Sequence, residues 1–443
     1  MPIRREFRTI SRLAAPVVLT QVGSMMLGVV DLLMLGHYNK EALAGSALAR
    51  VWLFGTLIIA QGVLLGLDPM ISQGHGAGDR RRIGEALQSG VLLALLLTVP
   101  LTIGWSFTAT CLRGLGVEDR LADLGHQYAL ARIPGISAYL LFGVLRSWLQ
   151  GRGIMRPAMW IVFAANGLNV LFNWVLIYGE WGFPELGIRG AGLATTLTQG
   201  FMVLALLLVV RIFRLHEGAW HGWSKAAWQR MREVLRHGLP VGVQLGVEIW
   251  AFQIATLMAA EFGTDAVAAH AIALNLASIS FMVPLGISIG VSARVGNLVG
   301  ALRPADAQRS ANIAIVMGAG VMAVAAAIFV LGRDALPRLY NGDPVVVALT
   351  AAILPIAAAF QLFDGVQVVA GGVLRGMGRT RPLAVIHFIA FYMIGLPVAW
   401  LLAFRAEWGV TGVWWGLCLG LASVAVGLVL WVLRRGPATL TTV

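Results

Sequence analysis

Charged residues are scarce in this chain, where Asp, Glu, Lys and Arg make up 12% of 443 residues. An average soluble domain carries roughly a quarter. Cysteine is scarcer still: Cys111 and Cys418 both lie inside apolar runs, as small buried hydrophobic residues do. This composition excludes an ordinary soluble domain, and it gives no support to a disulfide framework or a zinc site.

Enzyme signatures are also missing. The chain contains no HExxH, no G-x-S-x-G, no phosphate-binding loop and no DDxxD pair of the kind that holds a metal. Its 8 histidines do not cluster, and we expect only His270 and His387 to lie within the membrane. We therefore expect no catalytic residues, no resident metal and no cofactor. Because no ATP-binding domain is present, an ion gradient or a partner must supply any energy.

The dominant feature that is present is a series of about twelve apolar segments, each long enough to cross a bilayer. They predict an all-α integral membrane protein. The segments lie at about 12–37, 44–70, 85–112, 122–148, 156–179, 188–213, 236–262, 266–299, 309–333, 345–374, 382–404 and 409–433.

The basic residues lie mainly on alternate connections between these segments. One set of connections, which includes both termini, carries 22 Lys and Arg, and the other set carries 7. The positive-inside rule places both termini in the cytoplasm of a multi-pass protein of the bacterial inner membrane. The net charge of +12 is thus a topology signal, and we expect no nucleic-acid partner. The basic start runs into a full-length span, so we expect no cleaved signal peptide.

The two halves of the chain resemble each other, with an even number of spans in each. Such halves share one orientation and form a parallel repeat of two six-helix bundles. We predict an N-terminal lobe at 1–214, a cytoplasmic linker at 215–238 bearing Trp220, Trp223 and Trp228, and a C-terminal lobe at 239–443. The matching positions are Pro16 and Pro240, Glu41 and Asp265, Pro157 and Pro382, and Gly187 and Gly409.

Three acids lie deep in the apolar segments: Asp31, Glu248 and Asp364. A charged carboxylate there costs at least ~2.5 kcal/mol, so each needs a partner, a water-filled cavity or a proton. Asn169 and Asn173 are one helical turn apart, and Asn173 falls at a depth similar to that of Asp31. A purely structural explanation exists for both types of residue. An acid in a membrane helix can form a fixed pair with another group, and an asparagine can form a hydrogen bond between helices. The alternative is a site that holds either a proton or a cationic substrate, which is sufficient for exchange.

Aromatic and methionine side chains near these acids could form a pliable cavity lining for an organic cation. Packing against lipid or core is the competing explanation for each of them. The candidates are Phe360, Trp250, Phe252, Phe281, Met25 and Met258.

Five motifs spread over the whole chain resemble the multidrug and toxic compound extrusion (MATE) family, in its NorM-like branch. They are VDLLMLG around Asp31, NVLFNWVLIYG around Asn169 and Asn173, VEIW around Glu248, FMVPLGISIGVSARVGNLVG at 281–300 and FDGVQVVAGGVLRGMGRTRP at 363–382. The resemblance implies two six-helix lobes in a V around a central cavity, and export of cationic amphiphilic drugs driven by H⁺ or Na⁺. It also implies that Asp31, Glu248 and Asp364 bind cation and substrate, with Asn169 and Asn173 beside the first.

One position departs from the family pattern. Some Na⁺-coupled members carry Tyr four residues before the acid of the tenth span, and here the residue is Phe360, which offers no oxygen. We therefore favour H⁺ coupling, with Na⁺ at Glu248 and Asp364 as the alternative. The competing functions are a lipid-linked saccharide flippase, which would need a basic cavity, and a membrane enzyme. Beyond drugs and membrane lipid we expect no partner, and a monomer.

Overall fold

The computed structural model describes residues 3–217 and 225–440, and within them every regular element is a helix. Twelve helices in this part of the chain are long and apolar enough to cross a membrane, which confirms the predicted number. In chain order they are α1 (Ile3–Tyr38), α2 (Lys40–Gly76), α3 (Arg80–Ser106), α4 (Asp119–Gly151), α5 (Arg156–Tyr178), α6 (Ile188–Ile212), α7 (Ala226–Ala260), α8 (Thr264–Gly300), α9 (Pro304–Leu331), α10 (Pro344–Gly376), α11 (Arg381–Arg405) and α12 (Gly409–Arg435).

Two helices begin well before the predicted spans. α1 begins at Ile3 and α7 at Ala226, whereas hydropathy placed their spans from about residues 12 and 236. Hydropathy locates only the apolar middle of a helix, and the more polar, basic turns before it continue the same backbone hydrogen bonds. Trp228 of the predicted linker therefore lies in α7 and is exposed. Trp220 and Trp223 lie outside the described residues.

The internal repeat is present in the packing. In the first half α4 lies against α2, α3 and α6, and in the second half α10 lies against α8, α9 and α12. These are the same neighbours six helices further on. Two parallel six-helix repeats, as the sequence predicted, account for this pattern.

The chain forms two compact units whose limits differ from a simple division into halves. One unit contains Leu19–His75 and Asp79–Gly242, and the other contains α1 through Val18, residues 76–78 and the chain from Val243. The start of α1 therefore lies in the unit with the chain from Val243, and the start of α7 lies in the unit with Leu19–His75. This differs from the lobes predicted at 1–214 and 239–443. Most of the predicted linker 215–238 lies in the unit with Leu19–His75. As functional domains, those boundaries stay a prediction.

Glycine explains this exchange at the level of packing. A Cβ on Gly286 of α8 would collide with Val18 of α1, and a Cβ on Gly238 of α7 would collide with Val63 of α2. Only glycine permits so close an approach of two helix backbones. The first helix of each repeat therefore packs against the second helix of the other repeat.

Helix α11 is irregular. It is α-helical over Arg381–Phe388, π-helical over Ile389–Gly395, α-helical over Leu396–Trp400 and π-helical again over Leu401–Arg405. Pro397 lies among these segments and lacks the N–H that an α-helix would bond to the preceding turn. Widened turns of this kind are frequent at functional sites.

Candidate functional site

The first polar cluster surrounds Asp31 of α1, which is buried in an otherwise apolar stretch. Asn173 donates from Nδ2 to Asp31 Oδ1 at 2.8 Å, and Asn169 donates to the same oxygen at 3.3 Å. Both asparagines are on one face of α5 because they are four residues apart. Thr195 of α6 donates to Asp31 Oδ2 at 2.7 Å. The structure therefore brings the predicted trio together and adds Thr195.

The position of Thr195 follows from the close contact between α5 and α6. A Cβ on Gly190 of α6 would collide with the carbonyl of Leu176 on α5. Without that side chain the two helices approach closely at one end, and Thr195, about one and a half turns later, reaches the carboxylate. Its hydroxyl is also within 3.1 Å of the Ala191 carbonyl.

Two acceptors in this cluster have no donor among the residues that the structure describes. The Oδ1 atoms of Asn169 and Asn173 are buried and accept no hydrogen bond from them, and both asparagines are 0% exposed. A buried carbonyl oxygen without a partner is costly. A proton on Asp31, or a cation beside it, would give these oxygens a partner, whereas the three donors around Asp31 stabilise its charged form.

The second polar cluster joins Glu248 of α7 to Asp364 of α10. Gln367 donates from Nε2 to Asp364 Oδ1 at 3.2 Å and to Glu248 Oε1 at 3.3 Å, so one amide bridges the two acids. Gln244 donates to Glu248 Oε2 at 3.1 Å. Each glutamine lies one turn from the acid on its own helix, which places both on the same helix face as that acid.

His387 of α11 completes the second cluster. Its ring is 0% exposed, and its Nε2 lies 3.9 Å from Glu248 Oε2. The same nitrogen is 3.4 Å from Gln244 Nε2 and 3.3 Å from Gln367 Oε1. Three helices thus converge on the pair of acids.

The predicted lining residues have varied surroundings. Phe360 is buried, with its ring 6.0 Å from that of Phe252 and 5.9 Å from that of Trp414, in edge-to-face contacts. Trp250 is exposed, and Phe281, Met25 and Met258 are partly buried. Phe360 therefore packs into an aromatic cluster beside the acids, and the cavity-lining role of all six residues stays a prediction.

Four polar residues in these clusters were not identified from the sequence as site residues: Thr195, Gln244, Gln367 and His387. The two glutamines carried a signal, because each is one turn from a deep acid on an apolar helix. His387 was recognised only as a histidine inside a span. Thr195 carried none, since threonine is common in membrane helices and its partner is 164 positions away.

A family model described as MatE matches residues 16–175 and 240–401, and so matches each repeat once. The chain is 35% identical over 432 residues to the probable multidrug resistance protein NorM of Bradyrhizobium diazoefficiens, which covers 96% of this chain and 92% of that protein. It is also 35% identical over 434 residues to multidrug resistance protein NorM of Vibrio cholerae, covering 96% and 94%. Among solved structures, the eukaryotic MATE transporter AtDTX14 aligns with a TM-score of 0.92 at 23% identity, covering 98% of this chain and 97% of that one.

Proposed function

Because this chain belongs to the MatE family of membrane transporters, we propose that it is a multidrug efflux antiporter that exports cationic amphiphilic compounds in exchange for H⁺. Relatives that share about a third of their residues over nearly their whole length are named multidrug resistance proteins. That likeness supports efflux of several drugs. The coupling ion and the binding residues are inferred from the two polar clusters.

The observation that carries the exchange mechanism is the bridge from Gln367 to both Glu248 and Asp364. Two acids held by one amide inside apolar helices form a site where negative charge is expensive. A proton or an organic cation neutralises that charge, and each displaces the other. Binding of one ligand therefore releases the other, which is the minimum requirement for antiport.

The N–H groups around the acids are not ligands for Na⁺. Amide N–H groups of Gln244 and Gln367 face Glu248 and Asp364, whereas Na⁺ needs several oxygen ligands. Phe360 offers no oxygen and packs against other rings. In the Asp31 cluster, the unpartnered oxygens of Asn169 and Asn173 are acceptors for a proton held by Asp31.

The charged residues also bear on where the protein lies and what it binds. The excess of basic residues on alternate connections supports a bacterial inner-membrane location with both termini in the cytoplasm. The acidic character of the deep ionisable residues supports cationic substrates and argues against a lipid-linked saccharide. We propose that a single chain is the transporting unit.

Everted membrane vesicles containing the protein provide the test. After respiration acidifies the vesicle interior, added ethidium should dissipate the pH gradient. The cytoplasmic face of an everted membrane lies on the outside, so drug export moves the dye into the vesicle while protons leave it. Vesicles with Asp364→Asn protein at equal abundance should show no such response. A gradient that ethidium leaves unchanged in wild-type vesicles would overturn the proposal, and translocation of a lipid-linked saccharide by the same vesicles would identify the flippase.

A further inference from the structure

The imidazole ring of His387 is held in one orientation beside the two acids. Nδ1 lies 2.7 Å from the carbonyl oxygen of Leu383, one turn earlier in α11, so this nitrogen carries a hydrogen and donates it. The bond fixes the ring and directs Nε2 away from its own helix. Nε2 then lies within 3.4 Å of the amide groups of both Gln244 and Gln367.

We propose that His387 is a positioning residue for the substrate site, acting through the two glutamines that hold Glu248 and Asp364. This inference rests on the proposed function and identifies a determinant of affinity for the cationic substrate. A neutral ring accepts from the Gln244 amide at Nε2, and a ring that carries a second proton donates to Gln367 Oε1. In either form the ring orients a side chain whose N–H groups donate to the acids.

The backbone of α11 supports this role. The π-helical segment Ile389–Gly395 begins two residues after His387, and Tyr392 within it donates to the Val247 carbonyl at 3.4 Å. Helix α11 therefore contacts α7 twice close to Glu248, once through His387 at Gln244 and once through Tyr392 at Val247. The Phe391 ring lies in the same segment, with its centroid 6.3 Å from that of the imidazole.

Ordinary burial of a histidine is the competing explanation, and the chain contains a matched example. His270 of α8 is also 0% exposed, and its Nε2 bonds to Thr256 Oγ1 at 3.1 Å. Its ring packs against Trp414 at 5.7 Å. Both histidines lie in the unit that contains the chain from Val243, but only His387 contacts groups that bond to Glu248.

The test compares two amide substitutions that place their polar group differently. His387→Asn retains a bond to Leu383 but is too short to reach the glutamines, whereas His387→Gln places an amide near the position of Nε2. Ethidium binding to the purified full-length protein is measured by fluorescence titration, and KM and Vmax are measured in proteoliposomes under a pH gradient. His387→Asn should weaken binding and raise KM about tenfold, a change equivalent to about 1.4 kcal/mol.

His387→Gln should recover wild-type affinity and KM to within about twofold, and His270→Asn should leave both within the same range. A purely structural role would instead lower Vmax and yield of folded protein equally in both His387 variants. Equal KM values in His387→Asn and wild type, or equal KM increases in His387→Asn and His270→Asn, would overturn the inference. Wild-type protein that neither binds nor transports ethidium would overturn the proposed function itself. If His387→Asn does not fold, His387→Ala in the same binding assay replaces it.

Discussion

Asn173 of α5 donates a 2.8 Å hydrogen bond to Asp31 of α1, while its own side-chain carbonyl oxygen is buried and accepts no hydrogen bond within residues 3–217 and 225–440. The amide thus stabilises the charged carboxylate and offers an acceptor to the protonated one. This arrangement suits a group that changes its charge during a transport cycle. If Asp31 were always charged, it would not need the carbonyl oxygen of Asn173 as an acceptor. If it were always neutral, it would not need three donors around it.

If Asp31 and Asn173 form one functional unit, their substitutions should not be additive. Asp31→Asn should lower pH-driven ethidium efflux strongly but leave a measurable rate, and Asn173→Ala should lower it less. The double variant should be no worse than Asp31→Asn, which gives a coupling energy of about 0.5–3 kcal/mol in a double-mutant cycle. Asn166→Ala is the control, since that α5 amide bonds to the Gly23 carbonyl at 2.9 Å. Additive effects would separate Asn173 from the Asp31 site.

Glu248→Gln and Asp364→Asn should each reduce drug efflux to background, because each removes a charge and keeps the shape. Both proteins should fold, with an unchanged or higher Tm, since a buried charge costs desolvation that its neutral isostere avoids. Efflux assays and thermal unfolding of purified protein check the two effects together. Glu261→Gln, at an exposed residue just past the end of α7, should behave as wild type. Wild-type efflux in either cluster variant would exclude an essential charge there.

Phe360→Tyr tests the coupling ion. Phe360 lies one turn before Asp364, so a tyrosine hydroxyl there adds an oxygen near the acids. We expect wild-type efflux to follow the pH gradient without Na⁺, and the variant to gain a Na⁺ response. Transport in proteoliposomes under separate H⁺ and Na⁺ gradients measures both. A strict Na⁺ requirement of the wild type, with no transport on a pH gradient alone, would contradict H⁺ coupling and leave efflux itself standing.

Glu6 anchors the start of α1 to α8 and α9, within the unit that also contains the chain from Val243. It is 1% exposed, accepts from the Arg294 guanidinium at 2.7 and 3.0 Å, and accepts from Ser310 at 2.5 Å. Glu6→Gln removes the negative charge that faces a partly buried guanidinium, and we expect a loss of about 3 kcal/mol in stability. Thermal unfolding should show a clear fall in Tm.

The exposed pair of Arg113 and Asp119, at 2.7 Å, provides the control for Glu6. Asp119→Asn should leave the Tm almost unchanged, because solvent screens that pair. Equal changes in Tm for the two variants would show that the Glu6 pair does not hold α1 in place.

Much of this protein was determined by its sequence because the relevant signals are local. Twelve apolar runs predict twelve helices, since a chain in lipid must satisfy its own backbone hydrogen bonds. The recurrence of Pro16 as Pro240 predicted the repeat, and the isolation of Asp31, Glu248 and Asp364 marked them as candidates. The spacing of Asn169 and Asn173 placed both amides on one face of a helix.

Only the tertiary structure decided which of these groups meet. Thr195 reaches Asp31, and His387 reaches the amides of Gln244 and Gln367, across 164, 143 and 20 positions in the chain. The exchange of the starts of α1 and α7 likewise depends on which glycine faces another backbone. Hydropathy and helical period describe each helix by itself. The partner of a buried polar atom is set by how helices pack, because close packing allows only a few neighbours to share one site.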